Sequence, residues 1–185
     1  MHLVRDGGEQ HFDTYRAVNP QGLVPALLHD GRVLTQSLAI CEYLDEVFTD
    51  PPLLPADPAG RAEARSLAMI IACDVHPINN LRVQNYLKSE LGASPGQAVA
   101  WMNHWMTLGF AALEARLSAQ ARPGAYCLGD RPTLADIFLV PQVYNAERFE
   151  CDMSGFPSIL RVTARCRELE AFRAAAPERQ ADASG

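Results

Sequence analysis

The chain has 185 residues, 48% of them hydrophobic and 21% charged, enough apolar content for one domain with a core or for two small ones sharing an interface. Its net charge of -6 offers no basic field to nucleic acid or anionic membrane, and no apolar run reaches the ~18 residues that a membrane helix needs. Five scattered cysteines, never in CxxC spacing, and five dispersed histidines argue against a metal site and for a reduced, cytoplasmic protein, and Met1-His2-Leu3-Val4-Arg5 is not a signal peptide.

Residues 1–53 read as mixed α/β. Met1 to Val4 is the remnant of a strand, and Arg5 to Gln10 is a turn with two glycines. Leu23 to Leu28, the Asp30-Gly31 turn signal and Val33-Leu34 form a hairpin. Pro25 cannot donate to a ladder, so Val24-Pro25 belongs to an edge strand or to an unusual backbone, a cis bond among the options. A helix begins at Ser37, with Leu38, Cys41, Leu44 and Phe48 at helical spacing. Free N–H groups and a hydroxyl at Gln36-Ser37 suit a carboxylate, although Ser37 serves equally well as a plain cap. Prolines at 51, 52, 55 and 58 make the next stretch a linker without regular structure.

From Arg61 onward every segment reads as helical. Leu67, Ile71, Val75 and Ile78 line one face of a first helix, which runs on through Cys73 to Leu87 with Pro77 as a kink. A proline inside a regular helix costs ~3 kcal/mol, tolerable if the kink aims side chains into a cleft. His76 and Asn80, four apart, share a face of that helix, and Asn79 and Arg82 an adjoining one. Trp101, Trp105, Leu108 and Ala112, flanked by Met102, Met106 and Leu113, give a second helix a wide apolar stripe. Thr133 and Asp136 have the spacing of a capping box ahead of an apolar run that belongs in the centre of a bundle. Phe156 to Phe172 is a further amphipathic helix, followed by a polar tail expected to fray.

The runs NPQGLVPALLHDGRVLTQSLAICEYLDE (19–46), LLPADP (53–58), HPINNLRV (76–83) and GDRPTLADIFLVPQVYNAERF (129–149) together resemble the zeta-class glutathione transferases. The resemblance spans Met1 to about Asp182. It implies an α/β plus all-α fold: a partial thioredoxin-like, glutathione-binding domain over 1–53 and an all-helical C-terminal domain over 54–185. It implies glutathione as cofactor, a small dicarboxylate as substrate and a homodimer. Val24 would offer backbone bonds to the cysteinyl part of glutathione beside a cis Pro25. Gln36 and Ser37 would hold its γ-glutamyl carboxylate, and Gln10 matches a further contact. The positions matching His76, Asn80, Leu81 and Arg82 border the glutathione and substrate site. The planar fork of Arg82 suits one substrate carboxylate, with Arg148 for the other. The alternative for Arg82 is a structural ion pair.

The family's opening strand and helix, with a Ser-Ser-Cys-like motif whose hydroxyl stabilises the glutathione thiolate, have no match here. Met1 aligns with the family's second strand, so the catalytic group is unassigned. Cys41 and Cys73, the remaining candidates, read as buried and inert. Two functional expectations follow. One is glutathione-dependent cis–trans isomerisation of maleylacetoacetate or maleylpyruvate in aromatic degradation. The other is a truncated, catalytically impaired or non-catalytic dimerising relative, whose first 53 residues are disordered, rearranged or completed by another chain.

Overall fold

A computed structural model describes residues 3, 7–119, 124–181 and 183. The strand expected from Met1 to Val4 lies, Leu3 apart, outside the described residues. The chain divides into two compact units, Met1–Pro52 with Ala174–Gly185, and Leu53–Arg173.

In the first unit a 3-10 turn (Glu9–His11) and a short helix α1 (Asp13–Arg16) precede strands β1 (Ala26–His29) and β2 (Arg32–Thr35) and helix α2 (Ser37–Val47). The strands pair antiparallel with Ala26 opposite Thr35 and His29 opposite Arg32. Asp30 and Gly31 both have positive φ, 49° and 72°, the geometry of a two-residue primed turn that matches the twist of the strands. The hairpin is where the sequence put it, because its turn signal is local.

The second unit is helical: α3 (Pro58–Met69), a π-helical turn (Ile70–Val75), α4 (His76–Asn79), α5 (Leu81–Ser89), α6 (Pro95–Ser118), α7 (Leu134–Arg148), α8 (Pro157–Arg167) and α9 (Glu170–Ala174). Leu67, Ile71, Val75, Met102, Met106, Phe110, Leu113, Leu139, Val143, Ile159 and Val162 form one core. Among the described residues no helix is long and apolar enough to cross a membrane. A small sheet unit followed by a helical one is the architecture that the sequence led us to expect.

Three expectations need correction. Pro58 does not belong to an irregular linker: it is the first residue of α3, where a missing N–H costs nothing, and Asp57 caps that helix by accepting from the Gly60 N–H at 2.8 Å. The stripe on α6 buries Met102, Met106, Gly109, Phe110, Leu113 and Leu117, while Trp101 and Trp105 lie on its flank and Leu108 is 51% exposed. The segment from Cys73 to Leu87 is not one kinked helix. It passes from the π-helical turn into α4, stops at Asn80 (φ -63°, ψ 151°), and restarts as α5. His76 and Asn80 therefore share no helical face, since Asn80 is extended.

Candidate functional site

The hairpin register carries Val24-Pro25, just before β1, and Gln36-Ser37, just after β2, to the same end of the sheet. The Val24–Pro25 bond is cis. The Leu23 carbonyl is anchored by the Tyr15 hydroxyl and the Asn19 amide, both at 2.7 Å. This leaves the next residue, Val24, 45% exposed, and among the described residues its backbone groups have no hydrogen-bond partner. Gln36 is the N-cap of α2 with φ 73°, a backbone conformation that few non-glycine residues adopt, and its amide donates to the Gln21 Oε1 at 2.8 Å. No side chain caps the first turn of α2. Its free N–H groups, with the helix dipole behind them, form an exposed anion-binding end. Gln10 closes the group. A Cβ on Gly22 would come within 3.1 Å of the Gln10 carbonyl, so Gln10 lies against the segment leading to Val24. The residue is 7% exposed and its side chain reaches the Leu3 carbonyl at 3.3 Å, yet among the described residues its Oε1 has no partner. All five residues singled out in this unit thus gather round one end of the hairpin.

In the helical unit the polar cluster of the HPINN run serves the break between α4 and α5. The Asn80 side chain accepts from the Arg82 N–H at 3.2 Å as the cap of α5. The Trp101 indole donates to the Ile78 carbonyl at 2.9 Å, the Gln84 amide to the Asn79 carbonyl at 2.9 Å, and the Asn79 amide to the Met102 carbonyl at 3.4 Å. Carbonyls freed by the interruption are thereby paired. Beneath them Val75 fits a notch at Gly109, where a Cβ would stand 2.1 Å from the Val75 Cγ2. His76, Asn80, Leu81 and Arg82 surround this junction. His76 keeps solvent access, but enough of its ring is packed that burial lowers its pKa, opposed by an interaction with the Gln142 side chain. Arg82 is exposed and has no ion pair among the described residues, so the structural pairing considered for it has no partner there. Arg148 sits at the C-terminal end of α7, its guanidinium 5.5 Å from the centre of the Phe149 ring. No hydrogen bond or ion pair joins it to the α4–α5 junction among the described residues.

The two cysteines weighed as replacement nucleophiles differ in their surroundings. Cys41 is half-buried, and burial, then the Glu42 charge, raises its thiol pKa. Cys73 is exposed rather than buried as expected, because the π-helical turn rotates it away from the core; its Sγ lies 3.4 Å from the Met69 Sδ.

Comparison with known proteins places this geometry. The chain is 49% identical to the probable maleylacetoacetate isomerase of Vibrio cholerae over 99% of its own length and 84% of that protein's. It is also 49% identical to a structure of maleyl pyruvate isomerase, described as a bacterial glutathione S-transferase in the zeta class, with a TM-score of 0.92 over 94% of this chain and 82% of that one. The chain belongs to the zeta-class glutathione S-transferases. Family models of the glutathione S-transferase N-terminal and C-terminal domains match residues 2–52 and 100–177. Maleylacetoacetate isomerase from Methylobacterium extorquens AM1, solved with bound malonate and glutathione, superposes with a TM-score of 0.93 at 40% identity, over 97% of this chain and 85% of that one. Against this zeta-class background, sequence reasoning passed over Tyr15, Asn19 and Gln21, which hold the hairpin end, and Trp101, which clamps α4. Asn19 and Gln21 lie inside the NPQGLVP run, and their side-chain amides beside a turn were the available signal.

Proposed function

We propose that this chain catalyses the glutathione-dependent cis–trans isomerisation of a maleyl dicarboxylate, maleylacetoacetate or maleylpyruvate, in the cytoplasmic breakdown of aromatic compounds, as a homodimer. The observation that carries the reading is the hairpin end. Backbone groups at Val24, a helix start at Ser37 and a Gln10 Oε1 that are all without partners among the described residues fit a peptide-like ligand with a terminal carboxylate. Near-full-length identity to enzymes named for this isomerisation supports it.

Residues 1–53 would hold glutathione, and in the helical unit His76, Asn80, Leu81 and Arg82 are the proposed ligand-contacting positions. Val24 binds the cysteinyl backbone beside Pro25, while Gln36 and Ser37 receive the γ-glutamyl carboxylate at the start of α2. Gln10 offers its free oxygen to a ligand N–H. Bound glutathione supplies the nucleophilic thiolate through which the maleyl double bond can become rotatable. Arg82 and Arg148 orient the substrate by gripping its carboxylates, and a guanidinium so placed also stabilises charge developing on the neighbouring carbonyl.

The test is to follow maleylpyruvate and maleylacetoacetate with and without glutathione, alongside an electrophilic aryl halide. Turnover of a maleyl substrate only when glutathione is present, with glutathione unconsumed, is the expected result. Stoichiometric consumption with the halide and none of the isomerisation would make the chain a conjugating transferase instead. Sedimentation showing only a species of ~20 kDa at micromolar concentration would remove the dimer.

A further inference from the structure

The Leu23 carbonyl is held more firmly than its place in the chain requires. It lies outside the β1–β2 ladder, which begins at Ala26. Even so, two side chains converge on it, the Tyr15 hydroxyl and the Asn19 amide, each donating at 2.7 Å. Asn19 is 3% exposed, and each of its polar groups is engaged. Its N–H donates to the Tyr15 carbonyl at 2.8 Å, its own carbonyl accepts from the Gly22 N–H at 2.9 Å, and its Oδ1 accepts from the Gln21 N–H at 3.2 Å. A buried amide is costly unless it is used in this way, and here its donor is committed to one loop carbonyl.

Fixing that carbonyl fixes the opposite edge of the same peptide. The Leu23–Val24 bond is trans, and a planar trans peptide sets its N–H opposite its C=O. With its oxygen gripped by two donors, the unit presents the Val24 N–H on the side away from Tyr15 and Asn19. Val24 is 45% exposed, and that N–H has no partner among the described residues. Two donors on the oxygen also polarise the amide, which makes its N–H a stronger donor. The same side chains reach the other half of the hairpin end. Gln21, whose N–H is held by Asn19, accepts through its Oε1 from the Gln36 amide at 2.8 Å. Gln36 is the N-cap of α2 with φ 73°, so one run of hydrogen bonds joins the Val24 peptide to the start of that helix.

We propose that Tyr15 and Asn19 are positioning residues for ligand binding: they clamp the Leu23 carbonyl so that the Val24 N–H meets the ligand as a polarised donor, and Asn19 ties that donor through Gln21 to Gln36. This rests on the reading of the hairpin end as the glutathione site. The ligand group selected is an acceptor, a peptide carbonyl, and Tyr15 and Asn19 set its affinity without touching it.

The Val24 amide can be followed by its ¹H and ¹⁵N shifts, and the Leu23 carbonyl by its ¹³C shift, in the intact protein. Saturating glutathione should move the wild-type Val24 amide to lower field. An indifferent Val24 amide would overturn the placing of glutathione at the hairpin end, and with it the contact proposed here. Tyr15→Phe keeps the ring and removes only the hydroxyl. Without ligand, it should move the Leu23 carbonyl carbon and the Val24 amide to higher field. Glutathione should then bind about two- to fivefold more weakly, within the worth of one neutral hydrogen bond. Asn19→Asp keeps an acceptor for the Gln21 N–H but sets a second oxygen against the Leu23 carbonyl, and it should weaken glutathione further. A hydroxyl that served the fold alone would lower the urea midpoint and leave the Val24 shifts and the glutathione affinity as they are in the wild type. That result in Tyr15→Phe would overturn the positioning role, whether or not Asn19→Asp folds.

Discussion

Asp136 shows how much one side chain can organise. It is fully buried, and its carboxylate accepts from the Thr133 N–H at 2.7 Å, the Thr133 hydroxyl at 2.9 Å and the Cys127 N–H at 2.9 Å, with the Cys166 thiol 3.7 Å away. Capping of α7 and closure of the preceding loop thus share one group. Asp136→Ala strands three buried donors and should cost about 3 kcal/mol or more, read as a lower urea midpoint with unchanged m. The half of this arrangement within α7 was legible, because a capping box is a matter of spacing. The half involving Cys127 and Cys166 was not, since it joins segments distant in sequence. Arg82 tests the other kind of residue, one that holds little of the fold. It is exposed and unpaired among the described residues, so Arg82→Ala should leave the unfolding curve in place. Losing a charge-assisted carboxylate contact is worth about 1.5–3 kcal/mol. The kcat/KM for a maleyl substrate should therefore fall by about one to two orders of magnitude, with glutathione affinity nearly unchanged. Equal kcat/KM would take Arg82 out of the site.

At the level of elements the informative feature is the interrupted passage from α3 to α5. Pro77 and a crowd of Asn residues did signal irregularity. They could not say whether the helix bends or stops, because the answer depends on partners supplied by α6. Trp101 takes one carbonyl, Met102 offers another to Asn79, and Gly109 admits Val75. Asn80 then does what asparagine does well outside a helix, capping the next one. The glycine makes the sharpest test. Gly109→Ala puts a methyl 2.1 Å from the Val75 Cγ2, a contact that a β-branched side chain in a packed core cannot relieve by rotating. The variant should lose about 1–3 kcal/mol of stability. It should also perturb the His76 resonances, although His76 lies on another helix. A silent spectrum would mean that the π-helical turn is not set by α6.

For the molecule as a whole, the helical unit carries a pH dependence in its cysteines. Burial, reinforced by the Asp136 charge, pushes the Cys166 thiol up from 9.0 to about 12 and raises Cys127 as well. Above pH 9 the unfolded chain releases these protons while the folded chain keeps them, so the native state binds more protons and stability falls as pH rises. The loss should begin near pH 9 and, for Cys166, be complete near pH 12. Urea titrations at stepped alkaline pH should show it, with a shallower slope in Cys166→Ala; an equal slope would assign the loss to other groups. Much at this scale was readable early: the order of elements, the hairpin and the central place of α7 all follow from local signals. Which residues meet across helices followed from packing and was not. The hairpin carries a last consequence, for the kinds of change this gene can absorb. Leu28 and Val33 face each other with 70% and 45% of their surface open, so exchanges of one side chain for another there cost little. Removing a single codon anywhere from Ala26 to Thr35 is another matter. It would slip the pairing by one residue, turn each side chain to the opposite face, and carry Val24 out of step with Ser37. This short hairpin should therefore tolerate substitution at Leu28 and Val33 far better than it tolerates deletion.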